Sequence, residues 1–204
     1  MKIKINLLIS LFCLAIFIPT IAQTSSEEKE IPLLDNPMSV QYLKKHLRKS
    51  SPRLVLNSTI EKNLKNKLKT DPLVQSYYKY LEAETAQILT EPILTRKIIG
   101  KRLLGTSTKM VYRMGVLCMV YRMGKDPEIL KRIDAELNAV CNFSDWHPVH
   151  FLDVAEMSFA VALAIDWVGE ALPEKTVILA KSALIKKGIL PSYVKNENGK
   201  EMWW

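Results

Sequence analysis

The stretch Ser144–Pro173, SDWHPVHFLDVAEMSFAVALAIDWVGEALP, decides how the rest of the chain is read. It opens with an aromatic residue and two histidines around Pro148, becomes a long apolar run carrying Asp153, Glu156 and Asp166, and stops at Leu172-Pro173. A helix that apolar is buried on most of its sides. Its polar residues gather at the start, so the pattern predicts core scaffold with a chemically loaded mouth.

Each residue of the mouth has two readings. Trp146 is amphipathic and can stack on a sugar ring, or it can pin a helix start. His147 and His150 stand on either side of Pro148 and are expected in a turn with at least one exposed, as one wall of a polar cleft. Asp153 lies one turn beyond His150 and can orient its ring. Asp153 and Glu156 can equally complement the positive helix N-terminus. Asp166 sits deep in the apolar run and is expected to fasten a neighbouring helix end or loop.

Working back from the mouth, Thr106–Gly124 contains a local duplication, MVYRMG at 110–115 and again at 119–124. At about 100° per residue, a nine-residue period sends Arg113 and Arg122 to opposite faces of a helix, so the two cannot face one partner. Arg113 is carried as the candidate contact. Met114, Leu117, Cys118 and Tyr121 form an apolar stripe that reads as core.

The remaining segments are also helical. Asn36-Pro37 offers a cap with proline at the first helical position, opening a short helix to about Arg48. Ser50-Ser51-Pro52 breaks it, and residues 52–56 read as an extended piece. Ser58 is expected to cap a helix with Ile60, Leu64 and Leu68 on one face. Asp71-Pro72 starts another, to about Ile88, and Asp126-Pro127 a third, to about Asn142. No run of alternating strands and no fixed-period repeat is present. The fold class is therefore all-α: antiparallel amphipathic hairpins in a bundle, a solenoid or a toroid.

Residues 1–22 read as a secretory signal, with Lys2 and Lys4 before the apolar run Leu7–Ile18 and small side chains leading to Ala22. The run falls short of the ~20 residues a spanning helix needs, so no stable membrane insertion is expected once the signal is cleaved. Residues 23–35 form a polar, flexible leader, and 36–204 the helical domain. Of 29 Lys+Arg, losing Lys2 and Lys4 leaves 27 against 21 Asp+Glu, a net charge of +6. Export and the lack of a basic recognition helix argue against nucleic acid. An acidic polysaccharide suits the charge better, although the charge can also serve solubility alone. Cys118 and Cys141 are expected as buried free thiols rather than a bridge. No metal-ligand spacing occurs, and no cofactor is expected.

The block Trp146–Thr176, WHPVHFLDVAEMSFAVALAIDWVGEALPEKT, resembles the N-terminal helical domain of the heparinase II/III-like and alginate-lyase-like polysaccharide lyases. SPRLVLNSTIEKNLKNKLKTDP, from Ser51 to Pro72, is similar to the start of that domain, and the resemblance runs from about Ser51 onward. It implies an incomplete toroid of α/α hairpins followed by β-sandwich domains, in a periplasmic or secreted enzyme. It also implies β-elimination on uronic-acid glycans, here a heparin/heparan-sulfate-like chain. Such an enzyme neutralises a carboxylate, removes the C5 proton with a tyrosine or histidine, and protonates the departing glycosidic oxygen.

The family's catalytic cluster follows a segment resembling Glu201–Trp204, and its metal ligands belong to the β domains. On this reading the chain lacks the C-terminal part of its own enzyme, and the terminal Trp203-Trp204 pair points the same way. No catalytic residue is assigned, and the candidate substrate-binding residues are Trp146, His147, His150 and Arg113. The alternatives are a non-catalytic helical glycan-binding module and an inactive truncated product.

Overall fold

The computed structural model describes residues 39–193, and among them the architecture is all-α. The expected signal, the polar leader, the Asn36-Pro37 helix start and the terminal tryptophans lie outside the described residues. The chain divides into two units, Met1–Leu47 and Arg48–Trp204. In the first, α1 (Val40–His46) is capped by the Ser39 hydroxyl, which accepts the Tyr42 N–H at 3.2 Å.

The second unit begins with α2 (Ser58–Thr70) and α3 (Pro72–Thr90). The α2 cap is Asn57, one residue before the expected Ser58; its side-chain oxygen accepts the Ile60 N–H at 2.9 Å. Asp71 alone joins α2 to α3, and its carboxylate takes the N–H groups of Leu73 and Val74 at 3.0 and 3.3 Å. With Pro72 at the first helical position, no backbone donor is wasted there. The two helices pack on each other across this one-residue junction, so the chain turns straight back.

α4 (Leu104–Gly124) starts two residues before the expected Thr106 and is followed by α5 (Pro127–Cys141) after another Asp-Pro start. Asp126 accepts the Glu128 N–H at 2.8 Å. Lys125, at φ 61°, makes the left-handed step that reverses the chain after Gly124. α6 (Phe151–Val168) is the apolar run itself. α7 (Glu174–Ala183) continues into a π-helical turn, Leu184–Ile189, and a 3-10 turn, Leu190–Tyr193.

α4 and α6 pack most extensively on one another, and α3 and α5 close around α4. Met110, Met114, Leu117 and Cys118 of α4 meet Met157, Ala160, Val161 and Ala164 of α6 in a core where every one of these side chains is fully buried. The stripe expected on α4 is thus core, whereas Leu152 and Phe159 of α6 are left exposed. Both thiols are free and buried.

The acids of the apolar helix each hold a piece of chain made much earlier. Asp166 accepts the Leu54 N–H at 2.8 Å, the Arg53 N–H at 2.5 Å and the Ser51 hydroxyl at 3.1 Å, and thereby fastens the loop at 51–54. The run expected to be extended over 52–56 turns instead at Val55, φ 59°. The neighbouring Trp167 indole donates to the Leu54 carbonyl at 2.9 Å. Arg122 ties Glu61 of α2 to the Trp167 carbonyl of α6. Glu156 accepts from the Ser107 hydroxyl of α4. At the other end of the unit, the Lys187 ammonium donates to the Cys141 carbonyl at 2.7 Å and to that of Phe143, completing the C-terminus of α5.

Candidate functional site

Between α3 and α4 the chain runs through residues 91–103 without regular structure, as a strap along the surface. Its backbone is held from behind by a buried ion cluster. Glu136 of α5 is fully buried and pairs with Arg113 of α4 and Arg132 of α5. Its second oxygen accepts the Leu94 N–H at 3.1 Å. The two guanidiniums donate onward to strap carbonyls: Arg132 to Glu91 at 2.8 Å, and Arg113 to Pro92 at 3.0 Å. Arg113 also meets the Glu91 carboxylate at 2.5 Å. Two buried cations share one buried anion, and the surplus charge is spread over carbonyl oxygens and a half-exposed carboxylate.

Further along, Gly100 at φ 63° permits the tight Ile99–Arg102 turn. The strap then meets the expected mouth. Arg96 pairs with Asp145 at 2.6 Å, the His147 Nε2 lies 3.0 Å from the Lys101 carbonyl, and Arg102 pairs with Asp153 at 2.7 Å.

The structure keeps Trp146, His147 and His150 together and sets Arg113 apart from them. Trp146 is fully buried, with its indole donating to the Val140 carbonyl at 3.0 Å, so neither ring face is open to a sugar. Of its two sequence readings, the anchor holds. His147 is buried at φ 63°, its N–H donating to Asp145 Oδ1 at 2.7 Å. His150 is half-buried and precedes the first residue of α6, and its Nδ1 finds no hydrogen-bond partner among the described residues. Asp153 neither orients the His150 ring nor faces solvent. It is fully buried and receives Arg102 and the Leu103 N–H. Arg113, kept as the candidate contact, has its guanidinium committed to Glu136, Glu91 and Pro92. Arg122 is engaged on the other side of α4, as the nine-residue spacing requires.

On the far side of the strap lies a cleft of about 520 Å3 between residues 91–99 and the first half of α4. Lys97 and Lys109 line it and are exposed, while Arg113 lies at its floor with its charge balanced. Neither lysine has an ion pair among the described residues. The Glu91 carboxyl at the rim is held below its usual range, chiefly by the Arg113 hydrogen bond, with Lys109 contributing at longer range. The cleft therefore offers two ammonium groups without an ion pair among the described residues, suited to binding an anion. Sequence reading missed these lysines, although the run RKIIGKR at 96–102 places four cations in seven residues.

Among the described residues no three His, Cys, Asp or Glu side chains gather as a metal site, and no helix is long and apolar enough to cross a membrane. No family model matches this chain, and no curated protein matches it.

Proposed function

We propose that this chain is the N-terminal helical portion of an exported polysaccharide lyase that acts on acidic, uronic-acid-containing glycans, heparin/heparan-sulfate-like chains foremost. In this proposal the hairpins belong to an incomplete α/α toroid, and the described part binds the glycan without supplying the base or the acid. The observation that carries the reading is the cleft with Lys97 and Lys109, both exposed and unpaired among the described residues. The all-α hairpin architecture and the sequence block from Trp146 to Thr176 support it. In β-elimination, positive charge beside the uronate carboxylate makes the C5 proton more acidic, and two ammonium groups lining one cleft supply such charge.

A second reading is a glycan-binding module with no chemistry of its own. It is favoured by the state of the cleft's carboxylate, since Glu91 is already engaged by Arg113.

Calorimetric titration of the purified chain with uronate-containing and neutral oligosaccharides tests the common part. Affinity for the acidic ligand is expected, falling with added salt and lost in Lys97→Ala/Lys109→Ala. An acidic ligand that binds no better than a neutral one at low salt would sink both readings. Both readings expect no growth of the ultraviolet absorbance of unsaturated uronate ends from this chain, and its appearance would show that a base and an acid lie within it.

A further inference from the structure

Beside the lysine cleft, the surface of α3 and α4 carries exposed tyrosines, one of them with its hydroxyl tied down. Tyr80 is 56% and Tyr112 44% exposed. The Tyr112 hydroxyl donates to Glu84 Oε2 at 2.5 Å, and Tyr80 is near enough to bear on the Tyr112 hydroxyl electrostatically. The Glu84 bond fixes the Tyr112 ring at the surface, so its ordering has already been paid for before anything binds, and Tyr80 stands beside it. Tyr77, one helical turn before Tyr80, extends the aromatic surface and is 67% exposed.

The platform is continuous with the cleft. Lys109 and Tyr112 are three residues apart on α4, about 5–6 Å between Cβ atoms. On α3, successive turns lead from Glu84 to Glu91 at the cleft rim. We infer that Tyr80 and Tyr112, with Glu84, form a second subsite that stacks a neutral sugar ring beside the anionic group held by Lys97 and Lys109. The inference rests on the reading of the cleft as a glycan site and narrows its substrate class.

The chemistry of the patch selects the occupant. A pyranose has an apolar C–H face for a phenol ring and a rim of hydroxyls for a carboxylate. The remaining oxygen of Glu84 accepts no hydrogen bond among the described residues and is open to such hydroxyls. The core of a protein interface would be depleted of charge, whereas this patch carries Glu84 and Lys109 within it. Glu84 also repels a second uronate or a sulfate at the same place. The arrangement thus fits a polymer that alternates uronate with a neutral sugar and disfavours one built of uronate alone.

Three tetrasaccharides test this by calorimetry on the purified chain: alternating uronate/N-acetylhexosamine, all-uronate, and neutral hexose. The alternating ligand is expected to bind best, and Tyr80→Ala to weaken it by about tenfold, the scale of one lost aromatic stacking contact. Glu84→Gln is expected to raise the affinity of the all-uronate ligand. Circular dichroism confirms that each variant is folded. Tyr80 is mostly exposed, so its replacement leaves the core intact. If the wild-type chain binds through Lys97 and Lys109 but Tyr80→Ala and Glu84→Gln change nothing, the platform is wrong and the cleft stands. If the wild-type chain binds none of the three, the cleft reading falls and the platform with it.

Discussion

The carboxylate of Asp153, on the first turn of α6, accepts the backbone N–H of Leu103 at 2.8 Å from fifty residues away. Leu103 stands at the head of α4, which has no capping side chain of its own. A distant acid therefore does the work that Asn57, Asp71 and Asp126 do locally for α2, α3 and α5. Asp153→Ala removes this acceptor and the charge partner of Arg102 together. A loss of roughly 3–5 kcal/mol is expected in urea unfolding, and an unchanged midpoint would show that α4 starts unaided.

Glu136 is the single anion between Arg113 and Arg132. Glu136→Ala leaves two cations buried, at 3% and 8% exposure, and frees the Leu94 N–H. About 3–5 kcal/mol of stability is expected to go, with faster amide exchange along residues 91–99. Glu128→Ala is the control: its pair with Lys131 is solvent-exposed on both sides, and such pairs contribute well under about 1 kcal/mol.

Acid should loosen the fold at two ion pairs that join distant segments. Burial works to raise the carboxyls of Glu61 and Asp145, but Arg122 with Lys65, and Arg96, overcome it and hold both below their ordinary values of 4.5 and 3.8. Groups lowered in the folded state contribute stability that is complete above those ordinary values and is lost as pH falls through the folded ones. The melting temperature is expected to be unaffected by these groups near neutrality and to drop below about pH 4. Arg122→Ala should flatten that drop, and an equally steep fall in the variant would refute the assignment.

The two thiols should resist alkylation in the folded chain. Desolvation pushes Cys141 up to about 12, and the fully buried Cys118 is pushed up as well. Only a thiolate attacks the reagent, so labelling at neutral pH is expected to follow unfolding. Rapid labelling of either cysteine without denaturant would contradict the packing.

Gly188, in the π-helical turn, allows the chain to approach α6 closely. A Cβ there would lie 2.6 Å from the Ser158 hydroxyl and 3.4 Å from the Trp146 ring. Gly188→Ala is expected to cost about 1–3 kcal/mol, and Ser158→Ala in the same chain to recover part of it. Additive losses in the double variant would place the strain elsewhere.

The helices were legible because their signals are local. Asp71-Pro72 and Asp126-Pro127 mark two starts to the residue, and the apolar run after His150 marks its own burial. Asp166 was expected to fasten a loop, and it does; an acid set in an apolar helix has few other uses. Which loop it holds depends on residues 51–54 coming back across more than a hundred positions, and no periodicity encodes that. Trp146 carried two readings for the same reason: whether an indole is a platform or an anchor depends on what lies above it. Of the cleft lysines, Lys97 stands within the charged run at 96–102 and Lys109 outside it. Their significance emerged only when the strap placed Lys97 opposite Lys109 across a gap.

The hold of Asp166 on Arg53 and Leu54 has a consequence for biosynthesis. These residues are 113 and 112 positions apart from their acceptor, and a ribosome delivers the amides first. At about 5–20 residues per second, the nascent chain waits roughly 6–23 s for the carboxylate. During that interval α2 and α3 can pair, but the segment before them has nothing to close against. The first half of this protein stays tentative until its central helix is translated, and that interval is when a chaperone would have most to hold.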